Sequence, residues 1–269
     1  MAGLPRDDLD DLARAKRTLE HPSLAIRFAA SMGLPIEALV KRLPDGVQRG
    51  IAEGTRRALT ASLQVAIRTL DSDRRGPASN WLHRGVVMAT GAAGGAAGLA
   101  GLAIELPVST TLMLRSIADL ARAEGEDLSS VATRLECLTV FAYGSPSPAD
   151  DAADSAYFAM RTALARAVVQ AAQHLSERGV AEAVSERAAP ALVQLVGRIA
   201  QRFSVSVADK VAAQLVPVIG AVGGAAVNAL FMNHFQDVAK AHFTVRRLER
   251  WHGSESVRVT YERIQDERR

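Results

Sequence analysis

Two copies of one seven-residue pattern constrain what this chain can fold into. Gly91-Ala92-Ala93-Gly94-Gly95-Ala96-Ala97 and Gly220-Ala221-Val222-Gly223-Gly224-Ala225-Ala226 agree at six of seven positions, and each lies in a long stretch without charge. Glycine is about 1 kcal/mol worse than alanine inside a helix. A helix that keeps several glycines on one face therefore brings its backbone close to a neighbour. Gly91, Gly94, Gly95, Gly98 and Gly101 recur at intervals of three and four, which places them on one ridge, and Gly220, Gly223 and Gly224 repeat its start. The pairs Gly91/Gly95, Gly94/Gly98 and Gly220/Gly224 have the small-xxx-small spacing of close helix contacts. The pattern predicts an all-α, multi-helix bundle centred on two glycine-rich helices. A pseudo-twofold relation between the two would act at an offset of 129 residues.

The rest of the chain also reads at helical period, with no sustained strand alternation. Pro22, Pro35 and Pro44 mark joints between amphipathic helices in residues 1–72. Val47, Ile51, Leu59, Leu63, Ala66 and Leu70 form one apolar face over residues 46–70. Residues 73–80 are polar and turn-rich and read as a linker, with Asn80 as a cap. The main domain spans 81–253 and a charged tail 254–269. Within it, Glu105-Leu106-Pro107 is expected to end the first glycine helix. A helix over 108–124 stops at Gly125, and Asp127 starts the next, striped by Leu128, Val131, Leu135 and Leu138. Residues 144–150 read as a loop, followed by helices over 151–178 and 180–202. Ser206 is placed as the cap of the segment that carries the second glycine block and is interrupted at Pro217. That segment runs on to about Trp251 with Gly253 as its stop. Only 4% of residues are aromatic, so small side chains are expected to fill the core.

Membrane entry is the competing use of a glycine ridge. Residues 85–104 carry no charge, and about 20 such residues can span a bilayer. Composition weighs against it, because Gly and Ala contribute little transfer free energy. The second stretch contains Gln214, Pro217 and Asn228, and the mean hydropathy is only +0.06. A buried hairpin is the favoured reading, with peripheral membrane contact next. A phosphate loop is excluded, since neither block ends in Gly-Lys-Ser/Thr or follows a strand. Lys and Arg alternate with Asp and Glu, and the net charge is +3, which describes a solvated surface and no nucleic-acid partner. The acidic N-terminus shows no secretory leader, and the single Cys137 fits a reducing compartment as a core residue. The expected location is the cytoplasm or the inner face of the cell membrane.

Chemistry is sparse, and no cofactor is expected. Laying one glycine block on the other sets Glu105 level with His234, with Asp237 one turn beyond. A carboxylate and a His at that spacing can hold a divalent metal or relay a proton, so Glu105, His234 and Asp237 are the metal candidates. Glu136 interrupts an apolar helix and needs a buried partner, such as Arg115 or an arginine near the C-terminus. Glu105, Glu136, His234 and Asp237 are thus the catalytic candidates. Arg115, Asn228, Arg246 and Arg247 are polar or ion-pair candidates. The Arg246-Arg247-Leu248-Glu249-Arg250 run reads as a solvated helix end that could also meet anionic lipid.

Three segments resemble the EcsC family of bacterial proteins: GAAGGAAGLAGLAIELPVSTTLMLRSIADLARAEGEDL, ECLTVFAYG, and RFSVSVADKVAAQLVPVIGAVGGAAVNALFMNHFQDVAKAHFTVRRLER. The resemblance covers roughly residues 80–253, and the first 70 residues add little to it. Its motif positions here are Glu105, Leu106, Pro107, Arg115, Glu136, Cys137, Asn228, His234, Asp237, Arg246 and Arg247. It implies a helical, membrane-associated bacterial protein, in a family named for a protein encoded beside an ABC transporter, and it implies no activity. The leading expectation is a non-enzymatic accessory or scaffold protein at the cytoplasmic membrane face, with a membrane surface, transporter or secretion system as partner. Homo-oligomers could form through the glycine ridges. The alternatives are an enzyme or metal protein using the carboxylate and His candidates, and a soluble helical carrier of an apolar small molecule.

Overall fold

The computed structural model of the chain describes residues 4–20, 24–33, 36–70, 98–145, 155–178, 190–214 and 220–264. These form ten helices and no strand: α1 Arg6–Glu20, α2 Leu24–Met32, α3 Ile36–Val40, α4 Asp45–Thr69, α5 Gly98–Ala123, α6 Val131–Tyr143, α7 Ala156–Arg178, α8 Pro190–Gln214, α9 Gly220–His252 and α10 Ser254–Arg263. The all-α bundle is as the pattern predicts. The helices α4, α5, α9 and α1 form a row, each packed on the next, and α6, α7 and α8 pack together against it. The 33-residue α9, about 50 Å long at 1.5 Å per residue, touches α1, α2, α5, α6, α8 and α10. The apolar face read over residues 46–70 is the buried face of α4, through Ile51, Leu59, Leu63 and Ala66.

Two glycine stops act as their positions require. Gly125 has φ +82° and Gly253 has φ +85°, a region that costs a side chain but not glycine. Behind Gly125, the amide of Glu126 reaches back to the Ala121 carbonyl at 3.0 Å and closes α5. Asp127 organises the turn ahead of α6 by accepting from the Ser129 amide and hydroxyl, while Ser130 takes the cap position. The tail forms α10, anchored by the buried Val257 and Tyr261.

Two prolines bear on the expected helix bounds. Pro107 does not end a helix, because α5 continues through it to Ala123. An interior proline costs about 3 kcal/mol, and here packing on α4 and α9 outweighs that cost. Pro190 opens α8, where its missing N–H is not needed. The helix then runs through Arg202 and Ser206 to Gln214, so Ser206 lies in its interior and does not cap its start.

The core is filled mainly by Leu, Ala and Val, as the composition suggests. Its few aromatics are concentrated: Phe141, Phe203, Phe231 and Phe235 from α6, α8 and α9 meet with ring centroids 4.7–6.0 Å apart. Four of the seven phenylalanines thus make one cluster where three helices converge.

Gly91, Gly94 and Gly95, the expected cap Asn80 and Pro217 lie outside the described residues. Gly98 and Gly101 open α5, and Gly220, Gly223 and Gly224 open α9. The two helices pack on each other, and their register can be read from three hydrogen-bonded pairs. Asn228 meets Glu105, Gln236 meets Ser116, and Arg246 meets Glu126, at separations of 123, 120 and 120 residues. A constant separation means that the helices run parallel. It also means that they are not aligned at the 129 offset of the glycine blocks. The shift of six to nine residues is about 9–13 Å along the axis.

Candidate functional site

That shift decides what faces Glu105. Asn228, not His234, stands at its level and donates to Glu105 Oε1 at 3.0 Å. Lys210 of α8 donates to the same oxygen at 2.6 Å, with side-chain exposures of 0% for the lysine and 4% for the glutamate. The ammonium also lies 4.9 Å from the Phe231 ring centre. Burial pushes the Lys210 ammonium below its ordinary pKa, and the adjoining carboxylate pulls it back up. This buried acid–lysine–amide group joins α5, α8 and α9. Sequence reasoning found two members and missed Lys210. Its signal was present, because Lys210 sits on the apolar stripe of Phe203, Val207 and Val211, where a charge requires a buried counterpart.

Beside Lys210, Asp209 is only 5% exposed. Burial, and then the charge of Glu37, raise its carboxyl to about 7.

Glu136 lies in a second polar group between α6, α7 and α9. Its carboxylate accepts from the Thr139 hydroxyl at 3.1 Å and lies 3.8 Å from His242 Nε2. His242 Nδ1 shares a hydrogen bond of 2.8 Å with the Tyr157 hydroxyl, and Tyr143 packs on the imidazole with centroids 4.8 Å apart. Burial raises the Glu136 carboxyl, and Arg246 and Arg161 pull it back. Burial lowers His242 well below its ordinary pKa. The expected partner Arg115 lies elsewhere, 3.3 Å from the Thr69 hydroxyl at the end of α4. The arginines near Glu136 hold other acids in paired contacts. Arg161 takes Glu249 at 2.7 Å through both terminal nitrogens, and Arg246 takes Glu126 at 2.8 and 2.9 Å.

His234 is committed to the end of α6. Its Nε2 meets the Gly144 carbonyl at 2.5 Å, and since a carbonyl only accepts, Nε2 carries the hydrogen. Burial lowers this imidazole to about 4. The same helix end receives Arg202 from α8, which donates to the carbonyls of Ala142 at 3.2 Å and Ser145 at 2.6 Å. Ser206 bonds Ser145, hydroxyl to hydroxyl, at 2.8 Å. The last carbonyls of a helix lack partners within it and carry its negative end, so a cation there is doubly satisfied. The end of α4 is closed in the same way by Arg134 on the Ile67 carbonyl and Arg122 on the Leu70 carbonyl, each at 2.9 Å. Lys16 closes α10 through the Tyr261 and Ile264 carbonyls.

The four catalytic candidates therefore stand in separate settings. Glu105 is held by Lys210 and Asn228, Glu136 by Thr139, and His234 by a backbone carbonyl. Asp237 is exposed and paired with Arg27 at 2.7 Å. Among the described residues no three His, Cys, Asp or Glu side chains gather where they could hold a metal. Glu105, His234 and Asp237 are not brought together. Cys137 is buried, and burial raises its thiol far from the thiolate form. The Arg246–Arg250 run is also engaged: Arg246 and Arg250 share Glu126, while Arg247 holds Asp11 at 2.6 Å and Glu124 at 3.1 Å. No helix of the described residues is long and apolar enough to cross a membrane.

No curated protein and no solved structure matches the chain. A family model does, and the match begins at residue 6, so the N-terminal helices, expected to add little to the resemblance, are included in it. Over residues 6–248 of its 269, the chain belongs to the EcsC protein family.

Proposed function

We propose that the chain is a non-enzymatic accessory or scaffold protein that acts at the cytoplasmic face of the membrane and serves a membrane-embedded transporter or secretion system. The observation that carries this reading is the commitment of its polar core. Glu105 and His234 are buried in contacts that tie one helix to another, the half-buried Glu136 is held by Thr139 of its own helix and lies 3.8 Å from His242 of α9, and Asp237 is spent on a surface ion pair. An acid–base enzyme needs such groups to converge on one place where a reacting atom can sit. What the molecule offers instead is its outer helix surfaces.

The test is fractionation of cells that express the full chain, with salt and carbonate washes of the membrane pellet. Recovery with membranes and release by salt is the expected result. Recovery entirely outside the membrane fraction would overturn the reading. So would resistance to carbonate, which would make the chain an inserted protein rather than one resting on the surface.

A further inference from the structure

We propose that the outward face of α4, with the turn before it, is the surface that rests on an anionic lipid bilayer. This inference deepens the membrane-face reading and rests on it. The arginine-rich end of α9, the sequence's candidate for lipid contact, is already neutralised by Glu126, Glu124 and Asp11. Among the other exposed cations, six fall in one stretch of the chain. Lys41 and Arg42 in the turn, and Arg49, Arg56, Arg57 and Arg68 on α4, are all exposed. Arg56 and Arg57 share the single carboxylate of Glu53, and Lys41, Arg42, Arg49 and Arg68 hold no carboxylate among the described residues. Residues 36–70 thus carry six cations against Glu37, Asp45 and Glu53, and Glu37 faces Asp209 of α8.

The geometry suits a plane. The inner face of α4 is buried through Ile51, Ala58, Leu59 and Leu63, which fixes the opposite face outward. The helix has 25 residues, about 37 Å at 1.5 Å per residue. Arg49 and Arg56, seven residues apart, share one line on the flank of that face, and Arg57 and Arg68, eleven apart, share a second about 100° further round. Between them lie the exposed, uncharged Thr60 and Gln64, together with Glu53, which pairs with Arg56 and Arg57. The exposed large apolar residues, Trp251 and Val169 among them, belong to other helices, so the contact is electrostatic and releasable by salt. The strip also lacks the aromatic side chains on which single-stranded bases would stack, which favours lipid over nucleic acid.

The test is flotation of the full chain with vesicles of phosphatidylcholine containing 30% phosphatidylglycerol, against pure phosphatidylcholine, at about 0.1 M salt, where the Debye length is about 10 Å. Binding to the anionic vesicles alone, lost at high salt, is expected. Each basic residue near such a surface is worth about fivefold, so Arg49→Ala with Arg56→Ala should weaken partitioning about 25-fold. Both residues are exposed, and circular dichroism checks that the variant is folded. Trp251→Ala, on exposed surface of α9, should bind as the parent does. Equal binding by the arginine variant, or loss in the Trp251 variant, overturns the assignment to α4. Tighter binding to duplex DNA through the same arginines overturns lipid as the partner. A chain that pellets with cell membranes but ignores these vesicles sinks this inference and leaves the membrane-face reading standing. Absence from both sinks the reading as well.

Discussion

Replacing Lys210 with Met removes the cation from a group with no route to water. Met has a similar length and no charge, so it fills the space beside Phe231 while leaving Glu105 without its ammonium. Asn228 would still donate to Glu105 Oε1, but one amide does not neutralise a carboxylate. Breaking a buried ion pair from one side costs about 3–5 kcal/mol. The lost contact with the Phe231 ring, 4.9 Å away, adds on the order of 1 kcal/mol. Against a total stability of about 5–15 kcal/mol, Lys210→Met should therefore remove about a quarter or more. Glu105→Gln alone leaves a buried ammonium and should cost a comparable amount. The double variant buries no charge, so the two losses should not add, and the coupling should reach about 2 kcal/mol or more. Urea unfolding at pH 7, followed by circular dichroism, measures all four proteins. A single-variant loss below about 1 kcal/mol, or losses that add within about 0.5 kcal/mol, would mean that the pair does not join α5 to α8 as described.

A Cβ on Gly144 would lie 2.6 Å from Phe235 Cε1, inside the four-phenylalanine cluster, so Gly144→Ala should cost about 1–3 kcal/mol in a thermal melt. The same change at Gly197, where nothing lies within 4 Å, should stabilise α8 by up to about 1 kcal/mol; equal signs at the two sites would refute the packing argument. Burial raises the Asp209 carboxyl from 3.8 to about 7, so the folded state binds its proton more tightly and the protein loses stability as pH rises through that window. Asp209→Asn should gain on the parent between pH 4 and 8 in urea midpoints, and a gap that does not vary with pH would sink the assignment. His234 has the opposite sign: its pKa falls from 6.5 to about 4, so its contribution is lost as pH falls between those values. Its ring-proton NMR resonance should stay flat down to pH 5, and titration near 6.5 would contradict its burial.

Local signals carried most of the helix pattern. The φ-positive Gly125 and Gly253 are stops because only glycine takes that backbone cheaply, and the apolar period over residues 46–70 marks the face that α4 buries. Glu136 could be singled out because it interrupts an apolar helix, and Glu105 because it closes an uncharged stretch at a set distance from a glycine block. Their partners could not, since Lys210 is 105 residues away from Glu105 and no local rule says which helix will lie across it. The glycine blocks misled for a related reason. They suggested pairing at equal heights, whereas the observed register is set by side chains further along, at Ser116 with Gln236 and Glu126 with Arg246. Pro107 was read as a terminator from a rule about isolated helices, but α5 is packed on both α4 and α9.

The basic residues show why charge patterns in such a bundle need subtraction before interpretation. Short connections press helix ends against neighbouring helices, and each buried end presents carbonyls without intrahelical partners. Here those ends are met by long cations from elsewhere in the chain: Arg202 at α6, Arg122 and Arg134 at α4, Lys16 at α10. Each such contact removes a positive charge from the set available to a ligand and ties two helices at a point where neither has a hydrophobic face to offer. Arg246, Arg247 and Arg250 are removed in the same way by carboxylates. A net charge of +3 is therefore a poor guide to where an anionic partner would bind. After the helix-end arginines and those at the end of α9 are set aside, residues 36–70 still carry six exposed cations against three acids, and charge variants there test the molecule's surface without touching the bonds that hold its bundle together.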